Sequence, residues 1–480
     1  MKKQVYNPYL PLYEYIPDGE PHIFNNRLYV YGSHDRFGAF SFCKNNYVAY
    51  SAPLDDLSSW RYEGVIYKKT QDPKNKNGRK NLYAPDVTQG PDGNFYLYYG
   101  LNFTGYLGVA KSSSPSGPFE FLDHVKYQDG TILGLKKKDI FQFDPGVLTD
   151  DDNRVYLYSG FGPDKYFPQI KHSQKADGCY VYELDKDMKT IIKGPIKVMN
   201  KKGIANDKSI GHEFFEASSI RKINGNYYLI YSSINGHELC YAVSSSPFGP
   251  FEYKGTLISN GDVYLNERKQ KDAIYPLGNN HGGLVNINDK WYIFYHRHTN
   301  FTNTDRQGMA EEIFIDSDGL FSQVEKTSCG LNGKPLEGKG VYPASICSTL
   351  IPKEGNIFYP FFKIFKHSKT YITQSGKDED INETQYIKNI KDGCLIGYKY
   401  FNLENTTSIV LNVKGKAKGS VGISFDENEN PKVISNFEIE NQKYFEKIII
   451  SISQKACKSP IFLSFKIEKG NLDFYNFELK

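Results

Sequence analysis

The chain has 480 residues, 24% of them charged, and a net charge of only +4. With Lys residues scattered rather than gathered into a basic stripe, the charge excludes a nucleic-acid surface, and no run of 18 apolar residues exists to cross a membrane. The seven cysteines, Cys43, Cys179, Cys240, Cys329, Cys347, Cys394 and Cys457, are odd in number and widely spaced without a CxxC pair, which excludes a disulfide framework and a zinc ribbon. No apolar signal core follows Met1-Lys2-Lys3, so a cytoplasmic location is expected.

Aromatic residues make up 15% of the chain, with 38 Tyr and 32 Phe. They fall in a repeat: an apolar run, a polar turn, then an aromatic strand. The first copy is Pro21 to Gly32. The second is Val87 to Gly100, turning at Gly90-Pro-Asp-Gly93. The third is Gly146 to Gly160, turning at Asp150 to Asn153. The fourth is Ser219 to Ser232, turning at Asn224-Gly225, and the fifth is Leu284 to His296, turning at Asn288-Asp289. Each copy reads as a β-hairpin. The second strands begin near Tyr29, Tyr96, Tyr156, Tyr227 and Trp291, a period that suits one four-stranded blade with its loops. Residues 1–325 are therefore expected to form a five-bladed β-propeller. Residues 326–357, rich in Gly, Lys and Ser, read as a connector. Residues 358–480, with strand-like runs such as Ser408 to Val413 and Lys447 to Ile452, read as a second all-β domain of sandwich type.

The repeat also serves as a ruler. Ten to twelve residues before each aromatic strand stands a polar residue: Asp18, Asp86, Asp144, Glu216 and His281. Equivalent positions in a propeller lie at one height around one axis, so the five are expected to face a common pocket. Ionisable groups packed together lose hydration and repel one another, which separates their pKa values. That is the condition for one acid and one base at neutral pH, and glycoside hydrolysis uses such a pair.

The segments Pro17-Asp-Gly-Glu-Pro-His-Ile-Phe24, Tyr83-Ala-Pro-Asp-Val87, Phe143-Asp-Pro145, Phe214-Phe-Glu-Ala217 and Asn280-His-Gly282 resemble, in order, the motifs of glycoside hydrolase family 43. Asp392 to Phe401 resembles, more weakly, a family 6-like carbohydrate-binding sandwich. The resemblance implies an inverting hydrolase that removes terminal arabinofuranose or xylose from hemicellulose-derived oligosaccharides. It implies Asp18 as general base, Glu216 as general acid and Asp144 as the residue that orients the acid. Glu20 stays open as an alternative base, because Asp18 is followed by Gly19 rather than Pro. Tyr83 would be a stacking platform, Arg306 a sugar contact and Asp86 a pocket residue. No organic cofactor is implied. His281 would stand at the propeller centre beside a cation, with Ca2+ the candidate, or an ordered water. An endo-acting arabinanase and a non-catalytic sugar-binding propeller are the alternatives. Oligomeric state is not legible.

Overall fold

The structure, a computed structural model, describes residues 4–163, 170, 174–201, 209–361, 368–382, 384–440, 443–453 and 455–480. Five antiparallel sheets follow one another along the first two thirds of the chain. Blade 1 runs Glu20–Phe24, Arg27–Tyr31, Tyr47–Pro53 and Arg61–Tyr67 from its inner to its outer strand. Blade 2 runs from Leu82–Gln89 to Glu120–His124, and blade 4 from Phe214–Ile223 to Glu252–Ser259. Blade 3 starts at Gly146–Thr149, ends at Thr190–Asn200, and gains the short parallel strand Lys126–Tyr127 at its outer edge.

Blade 5 departs from the four-stranded expectation. Among the described residues it comprises Leu284–Ile287, Lys290–His298 and Arg306–Ile313. An open edge needs a partner for its backbone groups. Here the side chain of Asn7 imitates a peptide: its amide donates to the Ala310 carbonyl at 2.9 Å and its oxygen accepts from the Ala310 N–H at 3.1 Å. The start of the chain thereby closes over the last blade.

The aromatic content is spent largely between blades. Eleven of the twelve largest fully buried side chains are tyrosines. Tyr31, Tyr98 and Tyr158 occupy one position of the repeat, paired across the inner ladder with Glu20, Asp86 and Gly146. Each reaches a backbone carbonyl of the next blade or its turns: Pro115 at 2.6 Å, Met188 at 2.5 Å and Pro247 at 2.6 Å. Ring area is buried while the hydroxyl stays bonded, which is how Tyr tolerates a core position.

The C-terminal region forms one sheet curled round one apolar core. Two long strands, Ser408–Ser424 and Ser459–Leu479, pair along their length and carry the others. The stretch 326–357, read as a connector, supplies Leu336–Glu337, Gly340–Pro343 and Thr349–Ile351 to this same sheet. The two regions are joined by buried polar contacts. The fully buried Arg297 of blade 5 donates to the Ser345 carbonyl at 2.5 Å and to Gln385 at 3.0 Å. Asp378 accepts from the Phe37 N–H at 2.7 Å and from Asn45 at 2.9 Å, so the C-terminal region props the loop after the second strand of blade 1.

Candidate active site

Asp18, Asp144 and Glu216 stand at the entrances of the innermost strands of blades 1, 3 and 4. The backbone there is unusual. Asp18 has φ +56°, Asp144 φ +44° and Ala217 φ +67°. Left-handed backbone at non-glycine residues costs energy and persists only where surrounding structure imposes it. In blade 4 the pairing slips between Glu216 and Ser219, a bulge that re-aims the Glu216 side chain. The Ala217 N–H then donates to Asp144 at 3.2 Å, tying blade 4 to blade 3 beside the two carboxyls.

Asp18 is nearly fully buried and faces Arg306, whose Nη1 lies 2.8 Å from Oδ1. The rest of that guanidinium is spoken for. Nε and Nη2 form a two-pronged pair with Asp35 at 2.9 and 3.0 Å, and the Phe42 ring covers one face at 4.8 Å. Arg306, expected to touch sugar, therefore has Asp18 and Asp35 as its main partners. Burial pushes the Asp35 carboxyl up, and Arg306 limits the rise.

His296 sits behind Asp18. Its Nε2 is 2.8 Å from the Asn279 carbonyl and must donate there, so Nδ1 carries the lone pair and accepts the Asp18 N–H at 3.3 Å. Burial, then the positive charges of Arg306 and His281, hold its pKa well below the usual value, consistent with that neutral tautomer. The 3.4 Å approach of His296 to Asp18 Oδ1 is thus not an ion pair.

Glu216, Asp144 and His281 lie close to one another and each is shifted in acidity. Glu216 lies well above the ordinary carboxyl range, first through lost hydration, then through the negative charge of Asp144. Asp144 is also raised, to about 7, by burial and by Asp18, against the pull of His281. Asp144 has the Ala217 N–H and the His281 ring, at 3.6 Å, to stabilise its charge. No hydrogen-bond donor to the Glu216 carboxyl is found among the described residues. Asp144 therefore ionises first and Glu216 keeps its proton. Burial alone would lower His281, but Glu20, Asp144 and Asp18 outweigh it and carry the ring to about 9. An imidazolium consequently bridges the acid cluster and the propeller axis, where it approaches Glu20 at 3.7 Å.

Tyr83 is partly exposed, with its ring against Phe143 and Phe103 at 5.8 and 6.3 Å, on the blade 2 side of the same pocket. Asp86 is not with it. The ladder pairs Glu20 with Tyr31, Asp86 with Tyr98 and Gly146 with Tyr158. Asp86 thus ranks with Glu20 and Gly146, two residues deeper than Asp18 and Asp144. It is fully buried, with His22 on Oδ1 at 2.6 Å, the Val87 N–H on Oδ1 at 2.7 Å and the Val147 N–H on Oδ2 at 2.7 Å. It ties blade 1 to blades 2 and 3 and offers nothing to a sugar.

Glu20, the alternative base, is held at the same depth. Its Oε2 accepts from Ser219 and Arg221, both at 2.9 Å. Arg221 further donates to the carbonyls of Leu284 at 2.7 Å, Ile220 at 2.8 Å and Pro21 at 3.1 Å. One guanidinium so joins the inner strands of blades 1, 4 and 5. Asp35, His296 and Arg221 were missed by the repeat ruler. The run His296-Arg297-His298 inside an apolar strand is the signal that could have flagged His296.

The model of glycosyl hydrolases family 43 matches residues 22–321. A xylosidase/arabinosidase of Thermoclostridium stercorarium is 48% identical over 422 residues, 87% of this chain and 87% of that protein. A β-xylosidase of Xylanibacter ruminicola is 27% identical over 339 residues, 65% of this chain and 97% of the relative. Among solved structures, a family 43 arabinoxylan arabinofuranohydrolase from Bacillus subtilis, in complex with cellotetraose, aligns over 99% of this chain and 97% of its own with a TM-score of 0.50 and 20% identity, a likeness of fold. With the ordered motifs, the five blades and the three clustered carboxyls, these matches make the chain a member of glycoside hydrolase family 43.

Proposed function

We propose that the protein is an inverting exo-glycosidase that releases terminal xylose or arabinofuranose from short hemicellulose-derived saccharides. The observation that carries this is the geometry of two carboxyls in one pocket: Glu216, to which no described residue donates a hydrogen bond, and Asp18, fixed by a guanidinium at 2.8 Å. The names of the relatives supply the sugar class. Glu216 protonates the leaving oxygen. Asp18, rather than Glu20, takes a proton from the attacking water, since Glu20 is engaged by Arg221 and Ser219. Asp144 orients Glu216 and raises its pKa. Release of nitrophenol from nitrophenyl β-D-xyloside or α-L-arabinofuranoside tests the reading, and inactivity on both and on arabinoxylan oligosaccharides would defeat it.

Asp144→Asn should move the alkaline limb of the kcat profile to lower pH. An acid works only while protonated, and removing the neighbouring negative charge lets Glu216 lose its proton earlier. A pH–rate profile of the variant checks this. An unchanged limb with lowered kcat would leave Asp144 only an orienting role.

Calcium at the axis does not fit these residues. Calcium takes about six to eight oxygen ligands. Glu20, His22 and Asp86 bring ligand atoms within 4.8 Å of one another, but the Asp86 and His22 atoms bond each other and Glu20 Oε2 is bound by Arg221. Among the described residues, Glu20 Oε1 and His281 Nε2 are the buried side-chain atoms there without a hydrogen-bond partner, and they face each other at 3.7 Å. Arg221 already supplies the axial positive charge. A chelator should leave both the thermal midpoint and turnover unchanged, and a loss restored by calcium would contradict this.

A further inference from the structure

Residues 357–361 fall between two strands of the C-terminal sheet, Thr349–Ile351 and Tyr371–Gln374, yet they lie on the propeller. The Leu277 N–H donates to the Ile357 carbonyl at 3.1 Å, and the Tyr359 N–H returns to the Leu277 carbonyl at 2.8 Å. Asn303 then takes over: its N–H donates to the Pro360 carbonyl and its side chain to the Tyr359 carbonyl, both at 3.0 Å. The segment is thus stapled to two blade 5 loops, one of which runs on to His281 and the other to Arg306. Tyr359 is buried against Phe301, while Phe358 and Phe361 are 40% and 64% exposed.

Those two rings are linked to the site through separate chains of ring contacts. Phe361 sets its edge against Phe42 at 6.2 Å, and Phe42 is the ring that covers Arg306, the partner of Asp18. Phe358 lies 6.0 Å from His237, which lies 5.9 Å from the exposed Tyr264, whose ring stands 5.3 Å from His212 in the loop leading to Glu216. Exposing several large rings is costly in water, and exposed rings continuous with a sugar site are suited to the apolar face of a pyranose.

We propose that Phe358 and Phe361 form the wall that binds the saccharide next to the cleaved pentose, so that a segment between two strands of the C-terminal sheet sets the preference for oligosaccharides. Phe358 and Tyr264, on the Glu216 side, face the leaving-group sugar, because Glu216 protonates the oxygen that departs with it. Phe361 and Phe42 bound the pocket on the Asp18 side. The proposal rests on the sugar class stated above, and its test is separable from turnover. Binding of xylotetraose and of xylose would be measured by calorimetry on Glu216→Gln protein, alone and with Phe358→Ala or Phe361→Ala added. The wall predicts about tenfold weaker xylotetraose binding in each double variant, with xylose binding changed far less. Equal affinities for xylotetraose, or the same loss for both sugars, would overturn it. In the catalytically intact background, Phe358→Ala should raise KM for xylotriose by a larger factor than KM for a pentosyl fluoride, whose leaving group is one atom. Failure of the unsubstituted protein to release any pentose would count against the proposed function instead, since the binding comparison does not depend on turnover.

Discussion

Glu216→Gln is expected to lower turnover of xylo- or arabinoxylo-oligosaccharides by about 10²–10⁴-fold, the usual contribution of a general acid. Gln keeps the size and position of the side chain but has no proton to give at the required moment. The loss should therefore depend on the leaving group. A dinitrophenyl pentoside departs as a stable anion, and the variant should hydrolyse it with a far smaller deficit. Equal losses on both substrates would mean that Gln disturbs the pocket rather than the proton transfer. The alkaline limb of the unsubstituted enzyme follows from the same group. Burial and Asp144 raise Glu216, so activity persists above the ordinary carboxyl range and falls once Glu216 ionises. Stability runs with the same sign. A carboxyl raised in the folded state favours folding at pH values below its unfolded pKa, and that contribution is lost as pH rises through the folded value. Glu216→Gln, which cannot ionise, should accordingly weaken the fall in thermal midpoint on the alkaline side.

Arg306→Met is expected to have the second large effect, on stability and turnover together. The side chain is 2% exposed and pairs with two carboxylates. Removing the cation leaves Asp18 and Asp35 buried without it, at a cost of roughly 3–5 kcal/mol. Adding Asp35→Asn removes one of the stranded charges and should recover part of that stability without recovering turnover, because Asp18 still lacks its partner. Denaturation midpoints of the single and double variants, measured beside kcat, separate the two roles. Recovery of turnover by the second substitution would mean that Arg306 acts only through folding.

The five blades were legible because each carries its own hairpin with a turn and an aromatic strand, a pattern local in sequence. The site was legible as far as the repeat kept register. Asp18, Asp144, Glu216 and His281 lie at or just before the innermost strands of their blades. Asp86 lies deeper, which the ruler missed because it tolerated a spread of two residues, and two residues is one full pleat of a strand. That is enough to send a side chain from the pocket to the axis. The partners that set the chemistry lay beyond any local pattern: Asp35 and Arg306 are 271 residues apart, and Glu20 and Arg221 are 201 apart. The strands within 326–357 escaped notice because they are two to four residues long and take their order from the C-terminal sheet they join. The missing fourth strand of blade 5 was equally hidden, since its edge is closed by one side chain, Asn7.

The central claim is a single displacement by water between Asp18 and Glu216, and the stereochemistry of the first product tests it most directly. Proton NMR during hydrolysis of a β-D-xyloside, or of an α-L-arabinofuranoside if that is the better substrate, would follow the anomeric signal before mutarotation. The account predicts that the inverted sugar appears first, α-xylose from the β-xyloside. Initial appearance of the retained anomer would contradict it, and would instead require a carboxylate that attacks the sugar itself.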